Sequence, residues 1–113
     1  VTSDFLAAYL TAALWTEDPA PGSGEYVPDL SRVTDDDRRT AAADCERFCN
    51  ENAALLAAAG SDAQNGHDFL LTRNGHGVGF WERGYGETGD RLTDAAHGFD
   101  EWSLDPITWE VAR

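Results

Sequence analysis

Between Thr34 and Gly60 the apolar residues fall at the spacing of an α-helix, and no other feature constrains the fold of this chain as strongly. Ala41, Ala42, Cys45, Phe48, Cys49, Leu55, Leu56 and Ala59 form one stripe, in which Asn52 is the only polar member. Thr34 suits the N-cap, and Asp37 stands three residues on, as in a capping box. Asp35, Asp36 and Asp37 all favour the positive end of a helix, and Gly60 is a natural stop. The pattern predicts one helix over 34–59. A stripe that long has to be buried against other elements.

Those elements are read from the same kind of signal. Phe5, Leu6, Tyr9, Leu10, Ala13 and Leu14 predict a helix over 3–15, with Ser3 as its cap. Pro19, Pro21, Gly22, Gly24 and Pro28 predict a long loop over 16–33, pinned by Tyr26, Val27 and Leu30. His67 to Arg73 reads as a strand, Asn74-Gly75 as a hairpin turn, and Val78 to Arg83 as the returning strand. Gly79 in that return suggests a bulge or a close backbone approach. Leu92, Ala95 and Ala96 predict a short helix over 88–97, ended by Gly98. Two short strands are expected around Asp105-Pro106, over 101–104 and 107–111. The expected architecture is one α+β domain: two or three helices packed on a small antiparallel sheet with the hairpin at its centre.

Charge narrows the function. Twenty-one acids face eight bases, all arginine, for a net charge of −13 over 113 residues. Such a chain repels nucleic acid and anionic membrane and favours basic partners, cations or plain solubility. Twelve aromatic residues (four Trp, three Tyr and five Phe) need a core or an interface to cover them, which argues against global disorder. No apolar run is long enough to span a bilayer, and Val1 to Phe5 lacks the basic stretch of a secretory signal. Two cysteines make no disulfide framework, so a reducing cytoplasm is the expected setting.

The candidate chemistry lies on the hairpin. His67, Asp68, Arg73, His76 and Glu82 are the groups from which an acid–base or metal-dependent hydrolase is assembled. The same residues also serve a hairpin by itself. Asn74 and Gly75 form the turn, His76 bonds across it, and Asp68 and Arg73 pair. This structural use is favoured, because a site needs more than clustered polar groups. Cys45 and Cys49 lie four apart on one helix face, a spacing that fits core packing better than a zinc knuckle or a disulfide. Gly75, Gly77 and Gly79 lie in a hairpin rather than a phosphate loop, so no cofactor is expected. Phe80, Trp81, Trp102 and Trp109 read as core or interface anchors, since base stacking needs a positive groove. Asp35, Asp36 and Asp37 are a candidate surface for a basic partner, beside their capping role.

The segment Gly66-His67-Asp68-Phe69-Leu70-Leu71-Thr72-Arg73-Asn74-Gly75-His76-Gly77-Val78-Gly79-Phe80-Trp81-Glu82-Arg83-Gly84 resembles a signature in small, largely uncharacterised proteins of bacteriophages and related mobile elements. Phe5 to Leu10, Asp44-Cys45 with Phe48, and Gly89 to Thr93 extend the likeness, while the tail with Trp102, Leu104 and Trp109 departs from it. The resemblance implies a phage or mobile-element setting in a host cytoplasm and carries no activity with it. With the charge, it leads to an expected function as an acidic protein-binding accessory module. Its partner would present a basic surface, as a host DNA-handling protein does, with carboxylates imitating DNA phosphates. The alternatives are a small enzyme built on the His67–Glu82 hairpin, and a structural domain whose acidity serves solubility.

Overall fold

The computed structural model describes residues 2–17, 27–75 and 79–104. Among the described residues five α-helices follow one another: α1 (Ser3–Thr16), α2 (Asp35–Glu51), α3 (Ala53–Ala57), α4 (Asp62–Arg73) and α5 (Glu87–His97). Single 3-10 turns stand at Leu30–Arg32, before α2, and at Phe80–Glu82, between α4 and α5. Among the described residues there is no β-strand. The described fold is therefore all-helical, which overturns the expected α+β architecture with its sheet.

The helix starts follow capping chemistry. The α1 cap is Thr2, one residue before the expected Ser3; its Oγ1 accepts the Phe5 N–H at 3.2 Å. Thr34 caps α2 as expected, accepting the Asp37 N–H at 3.1 Å. The expected helix over 34–59 is interrupted at Asn52. Its side-chain amide donates to the Phe48 carbonyl at 2.9 Å, and its φ of −127° turns α2 into the short α3. An asparagine in a helical stripe offers the backbone a competing hydrogen bond, which ends the run.

The expected hairpin over 67–83 is replaced by α4 and a 3-10 turn. Ser61 caps α4, accepting the Gln64 N–H at 3.2 Å. Along the helix the inward positions are Asn65, Gly66, Asp68, Phe69, Leu70, Thr72 and Arg73. That is helical spacing, carried largely by polar residues. Asn74-Gly75 forms no hairpin turn here. Gly75 adopts φ +70° just beyond the helix, in the left-handed conformation that commonly terminates helices. Of the expected tail strands, 101–104 is non-helical chain with no ladder, and 107–111 lies outside the described residues.

α1 packs chiefly along α4. Phe5 lies against Gly66, and Tyr9 lies over Phe69 and meets Arg73, so the two helices run in the same sense. A Cβ at Gly66 would sit 2.1 Å from the Phe5 carbonyl oxygen, which shows how closely the backbones approach. The core centres on Phe48 of α2 and Phe69 of α4, stacked at 4.0 Å and 6°. Phe99 meets both edge-on. Leu92 and Ala96 of α5 and Phe80 are buried in the same core. Each buried ring of this kind stabilises the fold by on the order of 2 kcal/mol. No helix among the described residues is long and apolar enough to cross a membrane.

Candidate functional site

α4 carries polar groups on two sides, and each side makes a different cluster. Asp68 and Arg73 are five residues apart, about 140° around a helix, so they cannot form the ion pair expected of them. Each finds another partner.

On the first side Asp68 is fully buried. Arg83, reaching back from beyond the 3-10 turn, grips both its oxygens: Nε donates to Oδ2 at 3.1 Å and Nη2 to Oδ1 at 2.9 Å. Gln64, one turn earlier on α4, donates to Oδ1 at 3.0 Å. His67 Nδ1 lies 3.2 Å from the same oxygen. Burial alone would raise the Asp68 pKa, but the hydrogen bonds from His67 and Arg83, the Arg83 charge and Gln64 outweigh it and hold the carboxyl below its ordinary range. The Asp68 hydrogen bonds and charge in turn raise Arg83. The His67 ring is 39% exposed above this anchored carboxylate. It lines an open groove between α1 and α4, with Thr11 and Trp15 on one wall and Gln64 and Arg83 on the other.

On the second side Arg73 is also buried, and its guanidinium is fully employed. Nη1 donates to the Tyr9 hydroxyl at 3.1 Å and to Asp44 of α2 at 2.9 Å. Nε donates to the Asp100 carbonyl at 2.8 Å, and Nη2 donates to the same oxygen. The cation lies over Phe69 and Phe99, 5.6 and 5.3 Å from their centroids. Asn74 next to it clasps the Trp102 backbone, accepting the N–H at 2.8 Å and donating to the carbonyl at 2.7 Å. Together Arg73 and Asn74 fasten residues 99–104 across the end of α4. Burial pushes the Tyr9 phenol well above its ordinary range, with the Arg73 charge opposing.

The expected constellation thus comes apart. His67 and Asp68 stay together, and Arg73 and Asn74 belong to the second cluster. Trp81 and Glu82 are exposed on the 3-10 turn, and His76 lies outside the described residues. Asp35 and Asp36 are exposed at the α2 start and Asp37 is half-buried there; Asp36 pairs with Arg39. Cys45 is buried and Cys49 half-buried, both free thiols; burial raises Cys45 strongly and pushes Cys49 up to about 11. Among the described residues no three His, Cys, Asp or Glu side chains are arranged to hold a metal ion.

Sequence reasoning missed Arg83, Gln64, Tyr9 and Asp44 as partners, and Asn65. The Asn65 amide accepts the Gly60 N–H and donates to the Leu56 and Gly60 carbonyls, closing the α3–α4 connection. The Gln64–Asp68 spacing of four residues is a helical signal that was available in the sequence. Compared with protein-family profiles, curated proteins and solved structures, the chain finds no match.

The acids are distributed unevenly in character. On α2 they alternate with arginines, as in Asp36–Arg39 and Arg47–Glu51. On α5, Glu87, Asp90 and Asp94 are all exposed at spacings of three and four, with Arg91 bonded to Glu87 as the one arginine among them. The 3-10 turn that carries Trp81, 43% exposed, packs on the same helix.

Proposed function

We propose that this chain is an acidic protein-binding module that engages a basic protein surface through α5 and Trp81. The observation that carries the reading is the α5 face. Three exposed carboxylates lie in one row on the outer side of α5, while the turn that carries the exposed Trp81 packs on its inner side, at Gly89. Carboxylates in a row steer a basic partner and set its register. An indole is the side-chain type that most often anchors such an interface. The interior supports the reading from the other direction. Arg73 and Arg83 are each engaged by an aspartate, Asp44 and Asp68, which leaves the acidic excess of the chain undiminished at the surface.

The resemblance of residues 66–84 to small phage and mobile-element proteins supplies the setting: a host cytoplasm and a host protein that handles DNA, whose basic surface the carboxylates would occupy as phosphates do. The test is a pull-down from host lysate at low and at moderate salt, with the tagged chain, Trp81→Ala, and a triple variant with Glu87→Gln, Asp90→Asn and Asp94→Asn. The expected result is one DNA-handling protein, retained at low salt and weakened at moderate salt. Both variants should lose it. An empty pull-down at low salt, or retention unchanged in the triple variant, contradicts the reading.

A further inference from the structure

We propose that His67 and Asp68 form an acid–base dyad that hydrolyses small uncharged esters in the groove between α1 and α4. The dyad goes beyond the binding role of α5 and belongs to a different part of the surface.

A general base needs an orienting group that does not move, and Asp68 meets that need. Its carboxylate is fully buried and fixed from Arg83 and Gln64 by three hydrogen bonds. Its Oδ1 lies 3.2 Å from His67 Nδ1. A carboxylate on Nδ1 keeps the proton of the neutral ring there and leaves the lone pair on Nε2. The ring itself is 39% exposed and lines the groove.

Arg83 supplies the second requirement. Its Nε and Nη2 are spent on Asp68, which leaves Nη1 outside that fork, and the side chain lines the same groove. His67 and Arg83 are the only ionisable side chains lining it among the described residues. A guanidinium beside the base is placed to stabilise negative charge that develops on a carbonyl oxygen. The charge of −13 on the chain disfavours anionic substrates. A neutral ester avoids that repulsion, since its oxygen becomes negative only in the transition state.

The step balances without a co-reactant other than water. Water oxygen bonds to the carbonyl carbon as Nε2 takes its proton, and the carbonyl oxygen becomes the oxyanion facing Arg83. The carbon–oxygen bond to the alcohol then breaks, the carbonyl re-forms, and the departing oxygen takes the proton back from Nε2. The products are a carboxylic acid and an alcohol. His67 is the catalytic residue and Asp68 a positioning residue.

The test is hydrolysis of 4-nitrophenyl acetate by the full chain, with the melting temperature recorded for every variant. Any exposed imidazole hydrolyses this ester slowly, so His97 on α5, also exposed, is the internal control. His67→Ala should lower the rate about tenfold or more, the low end of a general-base contribution being larger still. His97→Ala should leave it unchanged. Asp68→Asn should lower kcat and leave KM unaltered. A rate for His67→Ala equal to that of the unsubstituted protein, or an equal loss in His97→Ala, overturns the proposal whether or not Asp68→Asn folds. A folded Asp68→Asn with unaltered kcat removes Asp68 from it and with it the dyad.

Discussion

At the scale of single residues, Asp68 shows how burial and hydrogen bonding contend. Desolvation disfavours its charge, and four polar contacts from His67, Arg83 and Gln64 restore it. The folded carboxyl therefore titrates below its ordinary value of 3.8. A group depressed in the folded state adds stability above its unfolded pKa, and that stability is lost as pH falls through the folded pKa. Denaturant unfolding of the protein between pH 7 and pH 2 should show this loss below about pH 4. Asp68→Asn should be less stable at pH 7 and should lose less on acidification. Equal slopes for the two proteins would mean that Asp68 is not held as a paired carboxylate. Arg73 is the complementary case, a buried cation whose donors go to Tyr9, Asp44 and the Asp100 carbonyl. Its role is to fix where residues 99–104 lie, since a buried ion pair by itself adds little net stability.

At the scale of elements, the close approach of α1 and α4 rests on Gly66. Gly66→Ala would bring a Cβ to 2.1 Å from the Phe5 carbonyl oxygen, which is backbone and cannot rotate away. The helices must separate, at a cost of about 3 kcal/mol, or roughly 10 °C or more in melting temperature. Gly75→Ala meets no atom within 4 Å but keeps φ +70°, so it should cost only about 1 kcal/mol, from conformation alone. Thermal melts of the two variants check the ranking; a smaller loss for Gly66→Ala would show that α1 and α4 are not packed backbone to backbone. The same helix pair explains what was legible in the sequence. α1, α2 and α5 show apolar residues at helical spacing; α1 and α5 appear within a residue of their expected bounds, and α2 starts as expected but ends at Glu51 rather than at 59. α4 does not, because its inward face carries Asn65, Asp68, Thr72 and Arg73. A reading that counts only apolar residues finds Phe69-Leu70-Leu71 followed by Asn74-Gly75 and infers a strand and a turn. The contrary signals were Ser61-Asp62 as a helix start and the recurrence of polar groups at 65, 68, 72 and 73. At the site, His67 and Asp68 were nominated, but Arg83 was not. Its pairing across 15 residues follows from the tertiary path after α4, which no local pattern encodes.

At the scale of the whole molecule, the charges drawn inward come in opposite pairs. Arg73 pairs with Asp44 and Arg83 with Asp68, and each guanidinium bridges separate parts of the chain. Such pairs withdraw no net charge, so the surface keeps the whole acidic excess of the chain, on which the proposed binding face on α5 draws. The claim depends on 62–73 being a helix and on both guanidinium groups being held. The most direct measurement is NMR of the 15N,13C-labelled protein, reading the Cα secondary shifts across 62–73 and the Nε–Hε signals of the arginines. The account predicts helical shifts throughout that segment and slowly exchanging Hε signals for Arg73 and Arg83, bonded to the Asp100 carbonyl and to Asp68. Strand-like shifts over 67–73, or Hε protons of both arginines exchanging as fast as that of exposed Arg39, would contradict it.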